Sequence, residues 1–277
     1  MADKFIKAAV IGFPVGHSLS PVIHNHWIGQ YGLRGQYDAH AIPPEHLKES
    51  LLRLIADGYT GFNVTIPHKQ TIMALCDEID ATARAVGAVN TLCVGADGKL
   101  RGSNTDAFGF IESIRQAAPD FDFTRGAALV IGAGGAARAV VYGLQQAGVK
   151  KIRIANRTHE HAEKLARDFG IEVAACGTGA EGLKDVALLV NATPLGMKGQ
   201  PPLGFDVSLL PPGTMVNDIV YNPLQTVLLR DAAARGLKTV DGLGMLLQQA
   251  CPAFKKWFGI MPEITVELRE KLARIRS

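Results

Sequence analysis

The chain has 277 residues, of which 47% are hydrophobic and 20% are charged, with a formal net charge of +3. This composition predicts a globular protein of about two domains and excludes general disorder, and the near-balance of charge argues against nucleic-acid and membrane-surface partners. The four cysteines, Cys76, Cys93, Cys176 and Cys251, form no CxxC pair, so no zinc site or disulfide framework is expected. Without a signal sequence or a membrane-spanning apolar run, a cytoplasmic location is expected.

The N-terminal half alternates short apolar runs with helical patterns, which is the rhythm of a parallel α/β sheet. In chain order the predicted elements are strand Ala8–Gly12, a helix beginning at Pro21 with Ser20 as N-cap, helix Glu45–Ala56, strand Gly61–Ile66, helices Lys69–Glu78 and Ala81–Val86, the hairpin Ala88–Val94 and Lys99–Gly102, and helix Ala107–Ala117. The segment Pro119–Asp122 then breaks the pattern and predicts a domain boundary.

The alternation restarts at Gly126. Its predicted elements are strand Ala127–Ile131, helix Gly135–Ala147, strand Lys151–Ala155, helix His159–Phe169, strands Val186–Asn191, Met215–Asp218 and Thr239–Val240, and the helical stretches Gly244–Trp257 and Glu263–Ile275. We therefore predict an α/β protein with two domains.

A glycine-rich turn lies between the first strand and the first helix of the C-terminal half. Its residues are Gly132, Ala133, Gly134, Gly135 and Ala136, and the run matches G-x-G-x-x-A. Such a turn lets backbone N–H groups and the helix dipole approach a pyrophosphate. It predicts a doubly wound, Rossmann-like dinucleotide domain, with a tight turn that binds no ligand as the alternative.

The end of the next strand predicts the type of dinucleotide. Asn156, Arg157 and Thr158 occupy the place where NAD-binding proteins carry an acidic residue. The guanidinium of Arg157 can pair with a 2′-phosphate, and its two neighbours can add neutral hydrogen bonds. We therefore predict NADP as the cofactor, with an ordinary solvated surface arginine as the alternative.

Two charged residues follow predicted strands of the N-terminal half. Lys69 follows strand Gly61–Ile66, and Asp106 follows the hairpin. A lysine and an aspartate that meet at strand ends can form a proton-transfer pair, because each stabilises the charged form of the other. Spacing alone favours the alternative, an ordinary surface ion pair.

Seven motifs occur in the order and spacing of the shikimate dehydrogenase family, which the chain resembles over essentially its whole length. They are GHSLSP at 16–21, NVTIPHK at 63–69, GAVNT at 87–91, NTD at 104–106, GAGGA at 132–136, NRT at 156–158 and DGLGM at 241–245. The resemblance implies NADPH-dependent reduction of 3-dehydroshikimate to shikimate, on the route to chorismate and the aromatic amino acids. It also implies a substrate-binding domain over 1–106, rejoined by C-terminal helices over 241–277, a linking helix over 107–119, and an NADP-binding Rossmann-like domain over 120–240.

The same resemblance implies the roles of individual residues. Lys69 would donate and accept a proton at the C3 oxygen, with Asp106 as its hydrogen-bonded partner. The implied substrate contacts are Ser18 and Ser20 for the carboxylate, Thr65, Asn90 and Gln249 for the ring hydroxyls, and Asp106 and Tyr221. The implied cofactor contacts are the turn 132–136, Asn156, Arg157, Thr158, His161, Thr193, Ile219 and Gly242. No metal is implied.

His161 departs from the family pattern, since many members carry there a second arginine for the 2′-phosphate. The preference for NADP is therefore expected to be softer and more sensitive to pH. Three alternatives stay open: a quinate/shikimate dehydrogenase that uses NAD, a tetrahydrofolate-linked dehydrogenase of similar layout, and a non-enzymatic NADPH-binding module. The sequence does not decide the oligomeric state, and a homodimer stays open.

Overall fold

A computed structural model describes residues 5–173 and 180–276 of the chain, so Cys176 lies outside the described residues. The chain divides into two compact units. The first contains Met1–Thr105 and Gln249–Leu272, and the second contains Asp106–Gln248 and Ala273–Ser277. No helix in the described ranges is long and apolar enough to cross a membrane.

The two units are built from short strands and helices of ordinary length. The strands are β1 (Ile6–Gly12), β2 (Gly35–Ala41), β3 (Tyr59–Val64), β4 (Glu78–Ile79), β5 (Thr91–Val94), β6 (Leu100–Ser103), β7 (Ala127–Ile131), β8 (Ile152–Ala155), β9 (Glu172–Val173), β10 (Val186–Asn191), β11 (Met215–Asp218) and β12 (Lys238–Val240). The α-helices are α1 (Ser20–Gln30), α2 (Leu47–Ala56), α3 (Ala81–Val86), α4 (Asp106–Ala117), α5 (Gly135–Gln146), α6 (His159–Phe169), α7 (Val227–Ala234), α8 (Gly242–Phe258) and α9 (Val266–Arg276).

The first unit contains a mixed sheet with the order β2-β1-β3-β5-β6-β4. Strand β1 runs parallel to β2 and β3, whereas β5 is antiparallel to both β3 and β6. The apolar run Ala8–Ile11 is buried because β1 lies inside this sheet and is covered on both faces. Since β1 and β3 are parallel, the loops that follow them leave from the same edge of the sheet.

The end of α8 packs against the first sheet. The indole nitrogen of Trp257 donates to the carbonyl of Leu92, 3.0 Å away. A Cβ on Gly61 would lie 2.5 Å from the Trp257 ring, so only glycine at that position allows the indole to approach. These contacts attach residues after Gln249 to the unit that begins the chain.

The second unit contains a parallel sheet with the order β12-β11-β10-β7-β8-β9. The strand order reverses between β7 and β10, and α/β proteins bind their ligands outside the carboxyl ends of the strands at such a point. The two central strands are buried, β7 through Leu129 and Val130 and β10 through Leu189 and Val190. The doubly wound α/β fold predicted from the sequence is therefore confirmed.

Helix α4, which the sequence presents as a link, packs within the second unit. Phe110, Ile111 and Ile114 share a buried cluster with residues of α5. A Cβ on Gly143 would lie 3.1 Å from the Ile111 side chain, so this glycine allows the two helices to pack closely.

Two local predictions were wrong. Helix α1 begins at Ser20, and its first turn is stabilised by the Ser18 hydroxyl, which accepts the Ser20 N–H at 3.2 Å, so Ser20 is not the capping side chain. The segment predicted as helix Lys69–Glu78 forms only a short 3₁₀ helix, Thr71–Leu75. Asp77 then pairs with Leu100 through two hydrogen bonds of 2.9 and 2.7 Å, and this pairing draws the chain into an extended path.

Candidate active site

The two serines predicted to hold a carboxylate lie between β1 and α1: Ser18 is in the loop, and Ser20 is the first residue of the helix. Ser20 is 5% exposed and Ser18 is half-buried. The first turn of α1 contains no acidic side chain, so none opposes an anion at this end of the helix. The helix N-terminus and its hydroxyl groups together suit a carboxylate.

A buried hydrogen-bond network surrounds Asn90, which is 2% exposed. Its Oδ1 accepts the Thr105 N–H at 2.8 Å and the Thr91 hydroxyl at 2.9 Å. Its Nδ2 donates to the Thr105 hydroxyl at 2.9 Å and to Gln249 Oε1 at 3.3 Å. The structure therefore brings Asn90 and Gln249 together, although 159 positions separate them along the chain.

The same network continues to Tyr37 and Asn63, which the sequence analysis did not select. The fully buried Tyr37 hydroxyl donates to Asn63 Oδ1 at 2.6 Å. Asn63 Nδ2 donates to the Asn90 carbonyl at 3.3 Å and to the Thr91 hydroxyl at 3.4 Å. Burial raises the pKa of Tyr37 well above its ordinary value, and a hydrogen bond with the Ser20 side chain opposes this shift.

The segment after β3 holds Thr65 and Lys69 by their main-chain groups. The N–H of Thr65 donates to the Ile11 carbonyl at 2.9 Å, and the Lys69 carbonyl accepts the Val89 N–H at 2.7 Å. Between them the buried His68 ring bonds the Ile42 carbonyl at 2.7 Å. The main chain that carries the predicted proton donor is thus anchored to neighbouring segments of the first unit.

Asp106 is the first residue of α4 and is 4% exposed. One peptide bond separates it from Thr105, whose N–H and hydroxyl both bond Asn90. The Asn90 network therefore holds the residue that immediately precedes the predicted partner of Lys69.

The glycine turn of the second unit has the backbone that its sequence pattern requires. Gly132 has φ +118°, a region that favours glycine, and a Cβ there would lie 2.8 Å from the Ala192 carbonyl oxygen. A Cβ on Gly134 would meet no atom within 4 Å, so open space lies beside the turn. Gly134 caps α5 without a side-chain bond, which leaves the first amides of the helix unbonded by a capping side chain. Ala133, Gly135 and Ala136 complete the turn and begin α5.

The predicted 2′-phosphate contacts follow β8 at the start of α6. Asn156 shapes this turn, since its Nδ2 donates to the Thr158 carbonyl at 2.8 Å. Arg157, Thr158 and His161 are exposed. Within residues 5–173 and 180–276 the Arg157 guanidinium has no ion-pair partner, which suits it to an anionic ligand.

Thr193 lies in the turn after β10, and its hydroxyl is engaged in the turn itself. The hydroxyl donates to Asn191 Oδ1 at 2.7 Å and accepts the Leu195 N–H at 3.1 Å. A Cβ at Gly132 would lie 3.0 Å from the Thr193 methyl, so the two turns approach closely. Thr193 thus shapes the wall beside the glycine turn.

A buried carboxylate joins the loops that follow β10 and β11. Asp218 accepts hydrogen bonds from Asn191 Nδ2 at 2.9 Å, the Val220 N–H at 3.0 Å and the Thr226 hydroxyl at 2.7 Å. Burial raises the pKa of this carboxyl group above its ordinary value, although the three donors oppose the shift.

Ile219 and Tyr221 follow Asp218 along the chain, and the Gly242 N–H donates to the Val220 carbonyl at 3.3 Å. A Cβ on Gly242 would lie 2.3 Å from the Ile219 carbonyl oxygen, so a larger residue would displace the strand end. Ile219 and Tyr221 are both half-buried. Within the described part of the chain, no group of three or more His, Cys, Asp or Glu side chains is arranged to hold a metal ion.

Three family models match consecutive parts of the chain. The shikimate dehydrogenase substrate binding domain matches residues 10–92, the shikimate / quinate 5-dehydrogenase model matches residues 115–194, and the shikimate 5'-dehydrogenase C-terminal domain matches residues 242–266. The three matches follow the chain order that the seven motifs predict.

Individual relatives agree with these models. Shikimate dehydrogenase (NADP(+)) of Paramagnetospirillum magneticum is 52% identical over 97% of this chain and 98% of its own. The crystal structure of shikimate 5-dehydrogenase from Thermus thermophilus, in complex with NADP(H) and shikimate, is 38% identical with a TM-score of 0.87, covering 98% of this chain and 100% of that one. Quinate dehydrogenase from Corynebacterium glutamicum, in complex with NAD, is 32% identical with a TM-score of 0.86 and covers 98% and 100%.

Proposed function

The chain belongs to the shikimate dehydrogenase family, and from this premise we propose that it catalyses the reversible, NADPH-dependent reduction of 3-dehydroshikimate to shikimate. The reaction is an oxidoreductase step at a CH–OH group, and it belongs to the pathway that leads to chorismate and the aromatic amino acids. The name of the Paramagnetospirillum relative and the Thermus complex both support NADP as the cofactor.

The second unit offers the groups that NADP requires. The turn from Gly132 to Ala136 supplies uncapped amides beside open space, which suits a pyrophosphate. Arg157, with Asn156, Thr158 and His161, would hold the 2′-phosphate. We propose that Ile219 and Gly242 lie beside the nicotinamide and that Thr193 is a further contact with NADP. When bound, NADPH supplies the hydride.

The first unit offers the groups that the acid requires. Ser18 and Ser20 would bind the carboxylate at the N-terminus of α1. Asn90, Gln249 and Thr65 would bond the ring hydroxyls. We also propose Tyr221, which belongs to the second unit, as a substrate contact.

We propose that Lys69 Nζ donates a proton to the C3 oxygen as the carbonyl becomes an alcohol, and takes it back in the reverse direction. Asp106 would hold the ammonium group by a hydrogen bond and contact the substrate. The single observation that carries the proposal is the Asn90 network. It joins Gln249 to Thr105, the neighbour of Asp106, inside the unit that also holds Lys69.

These assignments give each part of the chain a separate binding function. We propose that residues 1–106 with 241–277 bind the acid, that 107–119 link the parts, and that 120–240 bind NADP. We also propose a cytoplasmic enzyme whose partners are small molecules rather than nucleic acid or membrane, with a homodimer as the assembly to test by light scattering.

A second candidate is a quinate/shikimate dehydrogenase that also uses NAD. It is supported by His161 in place of an arginine and by the likeness to the quinate dehydrogenase that binds NAD. Both candidates share the fold and the proton donor, so only substrate and cofactor preference separates them.

The test is the absorbance of NADPH or NADH during oxidation of shikimate and of quinate, with each of NADP⁺ and NAD⁺. We expect the highest kcat/KM for shikimate with NADP⁺. A higher kcat/KM for quinate with NAD⁺ would favour the second candidate. Absence of turnover in all four combinations, with NADPH still bound, would favour a binding module.

A further inference from the structure

A buried pair of side chains connects the two ends of the proposed acid site. At one end Tyr37, on β2, lies against α1, where its ring stacks on His24 at 4.2 Å and its main chain forms two hydrogen bonds with the Asn25 side chain; at the other end its hydroxyl bonds Asn63. Ser20 is the first residue of that helix. Asn63 on β3 then bonds the main-chain carbonyl of Asn90 and the hydroxyl of Thr91. Tyr37 is fully buried and Asn63 is nearly so, and neither belongs to the predicted site.

The donor and acceptor pattern requires the phenol to donate. The Asn90 carbonyl can only accept, so the Asn63 atom that faces it at 3.3 Å must be the amide Nδ2. Asn63 Oδ1 therefore faces Tyr37, and a carbonyl oxygen there needs the phenolic O–H at 2.6 Å. Without that hydroxyl, a buried acceptor would lose its partner.

The same reasoning orients the amides at the far end. The Thr105 main-chain N–H can only donate, so it fixes Asn90 Oδ1 opposite to it at 2.8 Å. Asn90 Nδ2 then faces Gln249 Oε1 at 3.3 Å. The Asn90 main chain, to which Asn63 donates a hydrogen bond, thus carries the amide that bonds Gln249.

We propose that Tyr37 and Asn63 are positioning residues that set the spacing between the carboxylate-binding Ser20 and the hydroxyl-binding Asn90 and Gln249. The inference rests on the proposed function, and it adds to that function two residues that determine substrate specificity. A rigid acid that reaches both ends binds well only while this spacing is kept, whereas a ligand held at one end can shift with it.

The test uses Tyr37→Phe in the full-length protein, with Tyr59→Phe as a matched control. Tyr59 also donates a 2.6 Å hydrogen bond from the first sheet, but to Asp38, outside the network. Loss of one buried hydrogen bond predicts a KM for shikimate about tenfold higher in Tyr37→Phe. The kcat and the KM for NADP⁺ should stay within about twofold of wild type, since the spacing acts on binding of the acid.

A second substrate separates positioning from general damage. The 4,5-dideoxy analogue of shikimate keeps the carboxylate and the C3 carbinol but lacks the hydroxyls that Asn90 and Gln249 would bond. We expect Tyr37→Phe to lower its kcat/KM by less than about threefold. If Tyr37→Phe does not fold, Asn63→Ser, which breaks the same connection from its other end, should give the same split between the two substrates.

Three outcomes would overturn the inference. A KM for shikimate in Tyr37→Phe equal to that of Tyr59→Phe would show that the phenol does not act on the acid site. Equal losses for shikimate and for its dideoxy analogue would show general damage, as would a matching rise in the KM for NADP⁺. Absence of turnover by the wild-type protein would instead contradict the proposed function, so the two failures are distinguishable.

Discussion

Replacement of His24 by phenylalanine should remove a large acid sensitivity from the first unit. His24 is fully buried on α1, where its ring stacks on Tyr37 at 4.2 Å and lies within 6 Å of the rings of Trp27, Phe254 and Trp257. Neither ring nitrogen has a hydrogen-bond partner of good geometry in the described ranges. Burial lowers the pKa of His24 from 6.5 to about 3, outweighing the opposing effect of the Asn63 side chain.

The sign and size of the effect follow from this shift. Below pH 6.5 the unfolded chain binds a proton at His24 that the folded chain binds only near pH 3. Stability is therefore lost as pH falls from about 6.5 toward 3, by about 1.4 kcal/mol for each pH unit. Between pH 7.5 and pH 5 the wild-type protein should lose about 2 kcal/mol from this residue alone. His24→Phe keeps the stacked ring and lacks this loss, whatever constant offset the larger ring adds.

Tryptophan fluorescence during urea unfolding is the suitable assay, because both tryptophans, Trp27 and Trp257, belong to the first unit. The free energies of unfolding of wild type and His24→Phe should run parallel above pH 7.5 and diverge by about 2 kcal/mol at pH 5. Parallel curves down to pH 5 would refute the reasoning, since His24 would then be protonated equally well in the folded protein.

Four further substitutions test the second unit. Arg157→Ala should raise the Kd for NADP⁺ at least tenfold and change the Kd for NAD⁺ little, whereas His161→Arg should lower the Kd for NADP⁺. Titration calorimetry measures both constants. Equal effects on the two cofactors would contradict the 2′-phosphate assignment. The stability of Asp218→Asn relative to wild type should increase as pH rises above about 4. The pKa of the Asp218 carboxyl group is raised by folding, so the wild-type protein loses stability as this group ionises, and the asparagine variant does not. A stability difference that does not change with pH in scanning calorimetry would contradict this. Gly132→Ala should lower both the Tm and NADP⁺ affinity, because its Cβ would lie 2.8 Å from the Ala192 carbonyl oxygen; an unchanged Tm would contradict the steric argument.

The sequence predicted those parts of the fold whose hydrophobic pattern is local. Strand Ala127–Ile131, helix His159–Phe169 and strand Val186–Asn191 have the bounds predicted for them. Each is a short element whose apolar spacing and flanking turn residues define both ends.

One strand and one helix were not predicted from the sequence. Strand β2 (Gly35–Ala41) was missed because it lies at the edge of the first sheet and buries only Tyr37 fully, so its residues show no regular alternation. Helix α7 (Val227–Ala234) was also missed, although the Thr226 hydroxyl caps it by accepting the Leu229 N–H at 3.3 Å. For β2 the neighbouring strand β1 supplied what the local pattern lacked, whereas α7 carries its capping signal in its own sequence.

The residues of the candidate site were also only partly predictable from the sequence. The motifs named Ser20, Lys69 and Asn90 through the resemblance to the family. Tyr37 was not recognisable, because its role depends on hydrogen bonds to residues 26 positions away on another strand. Long-range pairing of this kind leaves no periodic signal in a single sequence.

The most direct test of the central claim is the turnover of Lys69→Ala with shikimate and NADP⁺. If Lys69 Nζ exchanges the proton at the C3 oxygen, kcat should fall by about 10²–10⁴-fold while the KM for shikimate changes little. A matched Lys7→Ala variant, at a lysine that bonds the Asp57 carbonyl elsewhere in the first unit, should keep wild-type kcat. Near-normal turnover by Lys69→Ala would contradict the account.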